Sequence, residues 1–231
     1  MRLVAVPGFT QSASAWRGVA AAAPDLDIVA LDVPDAPTFA GTAAAIAELG
    51  GEAVYVGYSM GGRLCLEVAI QRPDLVEGLV LVSATPGIAD DADRAARLEA
   101  DRALAEHVRA VGVEAFLAEW LAQPMFASLG PDAAQLAERS AAHTVDSLVH
   151  QLLDLGQGAQ TPRWEELADL DAPVMVLTGE QDAKYDAIGD AMFEALGDCL
   201  RLRLPGGHAL PLEQPAAVAA AIRTFVHDLA P

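Results

Sequence analysis

Cysteine is nearly absent from this chain of 231 residues, which holds only Cys65 and Cys199. Two cysteines this far apart make neither a metal-ligand spacing nor a disulfide framework, and both are expected as small buried hydrophobes. Cations are scarce too, with 14 Lys and Arg against 33 Asp and Glu and a net charge of −19. Such an acidic chain argues against nucleic acid and against an anionic membrane surface as partners. It leaves room for a small anionic substrate, provided the few cations gather where that substrate binds. Long apolar runs are also missing. Charges, Gly or Pro interrupt each before the ~18 residues that a membrane span requires. The opening "MRLVAVPGF" enters a strand with no basic start, apolar stretch and cleavage site, so a cytoplasmic protein is expected. No repeat, low-complexity tract or linker marks a separate domain.

What is present is apolar content of 53%, enough for one substantial core. Short β-rich runs alternate with helical ones. "RLVAV", "DIVALDV", "AVYVGY", "GLVLVSA", "PVMVLTG" and "CLRLRL" read as strands, several continuously apolar as in a sheet covered on both faces. "TAAAIAEL", "GRLCLEVAIQ", "DAIGDAMFEAL" and "PAAVAAAIRTFVHDL" read as the helices between and after them. This alternation predicts an α/β fold with a mostly parallel, doubly wound sheet. One region breaks the rhythm. Between "GLVLVSA" and "PVMVLTG" three helices are expected, ended by Gly112, by Pro124 and by the Gly156/Gly158 pair. Residues 87–169 therefore form a helical insertion in a core made of residues 1–86 and 170–231. Such an insertion would cover the carboxyl ends of the strands as a lid, where these sheets bind ligands.

The segment "AVYVGYSMGGRLCLEVAIQ" passes from strand to helix through Gly57-Tyr58-Ser59-Met60-Gly61. Gly-x-Ser-x-Gly in this context is the nucleophile elbow of α/β-hydrolases. Strand and helix approach so closely that side chains at Gly57 and Gly61 would collide, while Ser59 is held in a strained backbone with its hydroxyl above the sheet. A serine hydroxyl is a weak nucleophile and base, so it needs a histidine, and that histidine needs a carboxylate to orient it. Among five histidines only His208 follows a late strand in a Gly-rich turn, "RLPGGHALPLEQP". His107, His143 and His150 fall on lid helices and His227 on the last helix, where surface or packing roles are usual. The carboxylate is expected after "PVMVLTG", which selects Asp182 over Glu180 and Asp186. An oxyanion site needs two convergent N–H donors. Met60 supplies one, and Phe9 in the turn "VPGFTQS" is expected to supply the other unless it only packs there.

Beyond the elbow, the chain resembles the 2-succinyl-6-hydroxy-2,4-cyclohexadiene-1-carboxylate synthases, menaquinone-pathway members of the α/β-hydrolase superfamily. The likeness spans nearly the whole chain. It rests on "PGFTQSASAW", "GYSMGGRLCLEVA", "LVLVSATPGI", Arg97 with Asp101 and Leu104-Ala105, "FLAEWLAQPMFASL", "GQGAQTPRWEEL" and "GEQDAKYDAI". The resemblance implies a cofactor-independent lyase that eliminates pyruvate from a polycarboxylated cyclohexene. It further implies carboxylate-binding arginines at Arg63, Arg97 and Arg139, with Trp120 as the lid tryptophan. Arginine suits that task because its planar fork holds a carboxylate through two parallel hydrogen bonds. Plainer readings stay open: Arg97 and Asp101 as an ordinary i, i+4 pair, Arg139 as solvated surface, Trp120 as lid packing. Lys184 either lines the cleft or only flanks Asp182.

The departures from that family fall on the pocket wall. Pro7-Gly8 stands for the usual His-Gly, "DVPDAPTFAG" replaces a "PGHGxS" loop, Ser140-Ala141-Ala142 follow the third arginine, and Pro211 stands where a second histidine is frequent. A serine ester or thioester hydrolase with the same three residues is the alternative these changes allow.

Overall fold

The computed structural model describes residues 1–229. Six strands form one sheet: β1 (Arg2–Val6), β2 (Asp27–Ala30), β3 (Ala53–Tyr58), β4 (Val76–Val82), β5 (Val174–Gly179) and β6 (Cys199–Leu204). Their order is β2-β1-β3-β4-β5-β6, and every pairing is parallel. Parallel strands need crossovers, and the helices α1 (Arg17–Ala22), α2 (Phe39–Gly50) and α3 (Met60–Gln71) supply the first of them.

Side chains alternate across the sheet. Val4, Val6, Tyr55, Leu79, Leu81 and Val176 pack one face against α2, α3 and α9 (Ala183–Ala195). Leu3, Ala5, Val54, Val56, Val80 and Leu177 pack the other against α1 and α11 (Pro215–Leu229). Both faces are thus covered, which explains why the central strands lack the apolar/polar alternation of a half-exposed sheet. The edge run "DIVALDV" is shorter as a strand than its composition suggests. It leaves the ladder after Ala30, with Leu31 making one last bond to the Ala5 carbonyl, and the Asp32 carboxylate turns to accept the Ala13 N–H at 2.7 Å.

Five helices lie between β4 and β5: α4 (Asp91–Val111), α5 (Val113–Leu121), α6 (Pro131–Ala134), α7 (Leu136–Ala142) and α8 (Val145–Leu153). Asp90 starts α4 by accepting the Ala92 and Asp93 N–H groups at 2.9 Å, and Gly112 ends it at φ 80°. An N-cap of this kind stabilises a helix by about 1 kcal/mol. The third expected helix is a correction. The run after Gly130 is three pieces, because Gln135 turns left-handed at φ 55° and His143 is extended before Thr144. Thr144 then caps α8 in a reciprocal capping box with Ser147. Ala105, Val108, Phe116, Leu117, Leu148 and Leu152 give these helices a small core of their own.

The segment entering β5 is tied to the body by Arg163, which grips the buried Glu67 carboxylate of α3 with two bonds at 2.8 and 2.9 Å. After β6, α10 (Leu210–Glu213) precedes the final helix. Cys65 is buried and Cys199 half-buried, both unpaired among the described residues. No helix among the described residues is long and apolar enough to cross a membrane. The connection leaving β1 packs on one face of the sheet through α1 and that leaving β3 on the other through α3, so the loops after β1 and β3 diverge. A crevice opens there, at the carboxyl ends of the strands.

Candidate active site

Ser59 stands at that crevice, between β3 and α3, with φ 51° and ψ −108°. A non-glycine residue in this region costs about 1–3 kcal/mol unless its surroundings impose it. Here they do. The Ser59 N–H donates to the Val82 carbonyl at 2.8 Å, and its own carbonyl accepts the Arg63 N–H. A Cβ on Gly57 would lie 2.4 Å from the Gly61 carbonyl oxygen, and one on Gly61 would lie 2.2 Å from that of Val6. Glycine at both positions lets β1, β3 and α3 meet without collision. The amino end of α3 has N–H groups with no intrahelical acceptor, and the Met60 N–H is among them.

His208 comes from the turn after β6. Its Nδ1 lies 2.6 Å from an Asp182 carboxylate oxygen and its Nε2 3.1 Å from the Ser59 hydroxyl. With Nδ1–H donating to the carboxylate, Nε2 is left to accept the serine proton. His208 and Asp182 are buried, whereas Ser59 is partly open. The neighbouring acids are engaged elsewhere. Glu180 is exposed beyond the end of β5, and Asp186 accepts bonds from Thr178 and Arg203 at 3.0 and 2.7 Å.

Glu213 fixes the turn itself. Its carboxylate accepts the Gly207 N–H at 2.7 Å and the Ala209 N–H at 3.0 Å, the two amides that flank His208. The Tyr185 ring packs on the imidazole with centroids 4.5 Å apart, and Tyr58 lies behind at 5.4 Å. Burial pushes both phenols up, so their hydroxyls stay protonated.

A cavity of about 730 Å³ rises above Ser59, and all nine residues singled out for a site line it. Arg63 is buried, donating to Gln160 Oε1 at 3.0 Å and the Leu155 carbonyl at 2.8 Å, with its Nε unpartnered. Arg139 is buried as well, not surface. It donates to Thr10 Oγ1 at 2.5 Å and the Ala134 carbonyl at 2.7 Å, leaving one terminal nitrogen unpartnered. Among the described residues neither guanidinium meets a carboxylate. Desolvation pulls Arg63 down to about 10 and lowers Arg139 too, yet an arginine so placed stays charged at neutral pH.

Arg97 does pair with Asp101, at 2.8 Å. That pair is no ordinary surface bridge, because Asp101 is buried and also accepts the Gly158 N–H at 3.4 Å. Trp120 lies edge-on to Phe9 at 5.0 Å and near Phe116 and Phe126, so it packs the inserted helices and lines the cavity at once. Lys184 is exposed at the cavity edge. Of the other histidines, His227 is exposed. His107 lines the cavity and meets Glu119 at 2.5 Å, while His143 and His150 are half-buried.

Sequence reasoning missed Gln157, Gln160, Tyr185 and Glu213. Each acts through a contact with a residue distant in the chain or through a backbone amide, and neither leaves a local spacing to read. Among the described residues no group of three or more His, Cys, Asp or Glu is placed to hold a metal ion.

Comparison with known proteins gives the family. The alpha/beta hydrolase family model matches residues 3–221. The 2-succinyl-6-hydroxy-2,4-cyclohexadiene-1-carboxylate synthase of Serratia proteamaculans is 30% identical, over 97% of this chain and 92% of that protein. The enzyme of the same name from Klebsiella pneumoniae subsp. pneumoniae is 32% identical, over 95% of this chain and 91% of its own length. The fold is similar to that of MenH from S. aureus, with TM-score 0.91 and 22% identity over 99% of this chain and 94% of that one. A thermophilic esterase from Thermogutta terrifontis, bound to malate, superposes with TM-score 0.84 at 22% identity, over 100% of this chain and 91% of its own. The chain belongs to the alpha/beta hydrolase family, in the branch that holds the 2-succinyl-6-hydroxy-2,4-cyclohexadiene-1-carboxylate synthases.

Proposed function

We propose that this protein is a cofactor-independent lyase that eliminates pyruvate from a polycarboxylated cyclohexene, the menaquinone-pathway reaction for which its relatives are named. One observation carries the reading. Arg63 and Arg139 are buried at the cavity above Ser59 with no carboxylate partner, in a chain of net charge −19. Buried cations are costly to hold unless something neutralises them. Two uncompensated guanidiniums in one cavity call for a substrate that brings its own negative charges, and Arg97 adds a third cation to the wall.

Ser59, His208 and Asp182 are the catalytic residues of this reading. Asp182 holds the imidazole, His208 accepts the serine proton, and the Ser59 oxygen removes a proton from the substrate ring. The electron pair passes through the ring, the bond to the leaving group breaks, and the departing enolate takes back the proton held on His208 to become pyruvate. The Phe9 and Met60 N–H groups stabilise the anionic transition state. Arg63, Arg97 and Arg139 orient carboxylates, and Trp120 closes the apolar wall. Residues 87–169 act as the lid that keeps water from the reacting centre. No covalent intermediate is required.

The test measures pyruvate formed by the wild-type protein from the polycarboxylated cyclohexene, alongside cleavage of simple acyl esters. Pyruvate release far faster than ester cleavage is expected. Ester turnover by a folded protein that forms no pyruvate would assign a serine hydrolase instead.

A further inference from the structure

One short loop, residues 155–160, bonds side chains from three different parts of the fold. Leu155 and Gln160 hold Arg63 of α3, at 2.8 and 3.0 Å. Gly158 donates to Asp101, the partner of Arg97 on α4. Gln157 Nε2 donates to the Tyr185 hydroxyl at 2.8 Å, on the first turn of α9. Arg63, Arg97, Gln157 and Tyr185 all line the cavity.

The Tyr185 hydroxyl is not needed for packing. Its ring already packs, tilted, against His208, and a phenylalanine would do the same. The oxygen accepts the bond from Gln157, which leaves the hydroxyl proton to be given away. Burial keeps the phenol protonated, and an uncharged O–H lining the same cavity as two guanidiniums strengthens their hold on an anion without repelling either.

We propose that Tyr185 is a substrate-binding, specificity-determining residue: its hydroxyl, oriented by Gln157, donates a hydrogen bond to a substrate carboxylate seated between Arg63 and Arg97. This rests on the reading that the cavity takes a polycarboxylate. A site that hydrogen-bonds a charged group loses much of its affinity when one donor is deleted, and discriminates weakly without it.

The experiment compares wild type, Tyr185→Phe and Gln157→Leu by calorimetric titration with cyclohex-4-ene-1,2-dicarboxylate, using its dimethyl ester as the uncharged control. Tyr185→Phe is expected to weaken dicarboxylate binding about tenfold, the size of one hydrogen bond to a charged group, and to leave the diester unaffected. Gln157→Leu should produce a smaller loss in the same direction. In turnover, the Tyr185→Phe substitution should raise KM far more than it lowers kcat. Equal dicarboxylate affinity in wild type and Tyr185→Phe overturns the role of Tyr185 and leaves the polycarboxylate reading standing. Failure of the wild type to bind the dicarboxylate removes both.

Discussion

His208 is held from three sides: by the Asp182 carboxylate, by the rings of Tyr185 and Tyr58, and by Glu213 through the amides on either side of it. The last of these is a positioning contact, since Glu213 reaches the imidazole only through its backbone. Glu213→Gln keeps the shape but offers one amide oxygen where two carboxylate oxygens accepted, and its NH2 faces an amide donor. Turnover by this variant is expected to fall about tenfold with KM nearly unchanged, because small displacements of a reacting group cost rate more than affinity. A parallel rise in KM, or no change in kcat, would show that Glu213 only braces the fold. Glu213 illustrates what the sequence hides at this scale. Ser59, Asp182 and His208 are legible because each follows a strand end in a recognisable turn. A carboxylate that bonds two backbone amides leaves no such pattern, and neither does the Gln157–Tyr185 contact across 28 positions.

At the scale of elements, the alternation of strand and helix is legible because parallel strands covered on both faces must be continuously apolar. Helical character between β4 and β5 is legible too, but the breaks within it are not. "PDAAQLAERSAAHTVDSLVHQLLDL" has helical spacing throughout, yet it bends at Gln135 and again at His143. The second bend lets His143 turn inward, half-buried near Arg139, with Nδ1 3.4 Å from the Ser147 hydroxyl. Burial holds this histidine below the ordinary value of 6.5, with the push of Arg139 and against the Gln11 and Thr10 backbone and the pull of Asp32. The folded chain therefore carries it neutral. As pH falls through 6.5 the unfolded chain takes up this proton first, so it binds more protons than the folded chain and stability declines. Melting temperatures of wild type and His143→Asn, measured from about pH 7.5 to about pH 5.5, should show wild type losing stability relative to the variant as the pH drops. A constant difference between the two would mean that His143 does not titrate with folding.

For the molecule as a whole, the acidic composition and the cationic cavity belong together. Most of the 33 Asp and Glu have no place in the core and lie at the surface, while Arg63 and Arg139 are kept inside without acid partners. An anionic exterior weakens non-specific attraction of other polyanions, and on the proposed function the buried cations would select a small one that fits the cavity. Composition predicted this division only in outline. The arginines that line the cavity were read from resemblance to a family, and the burial that gives them their force comes from contacts of α3 with the loop at 155–160 and of α7 with Ala134 and Thr10. The central claim is that the Ser59 oxygen, made basic through His208, performs the elimination. Its most direct measure is the rate of pyruvate formation by wild type and Ser59→Ala at saturating polycarboxylated cyclohexene, with affinity for that substrate determined for both. Loss of at least about 10³-fold in rate with affinity retained is the predicted result, in line with removal of a residue that acts as part of a unit. Pyruvate formed by Ser59→Ala at the wild-type rate would contradict it.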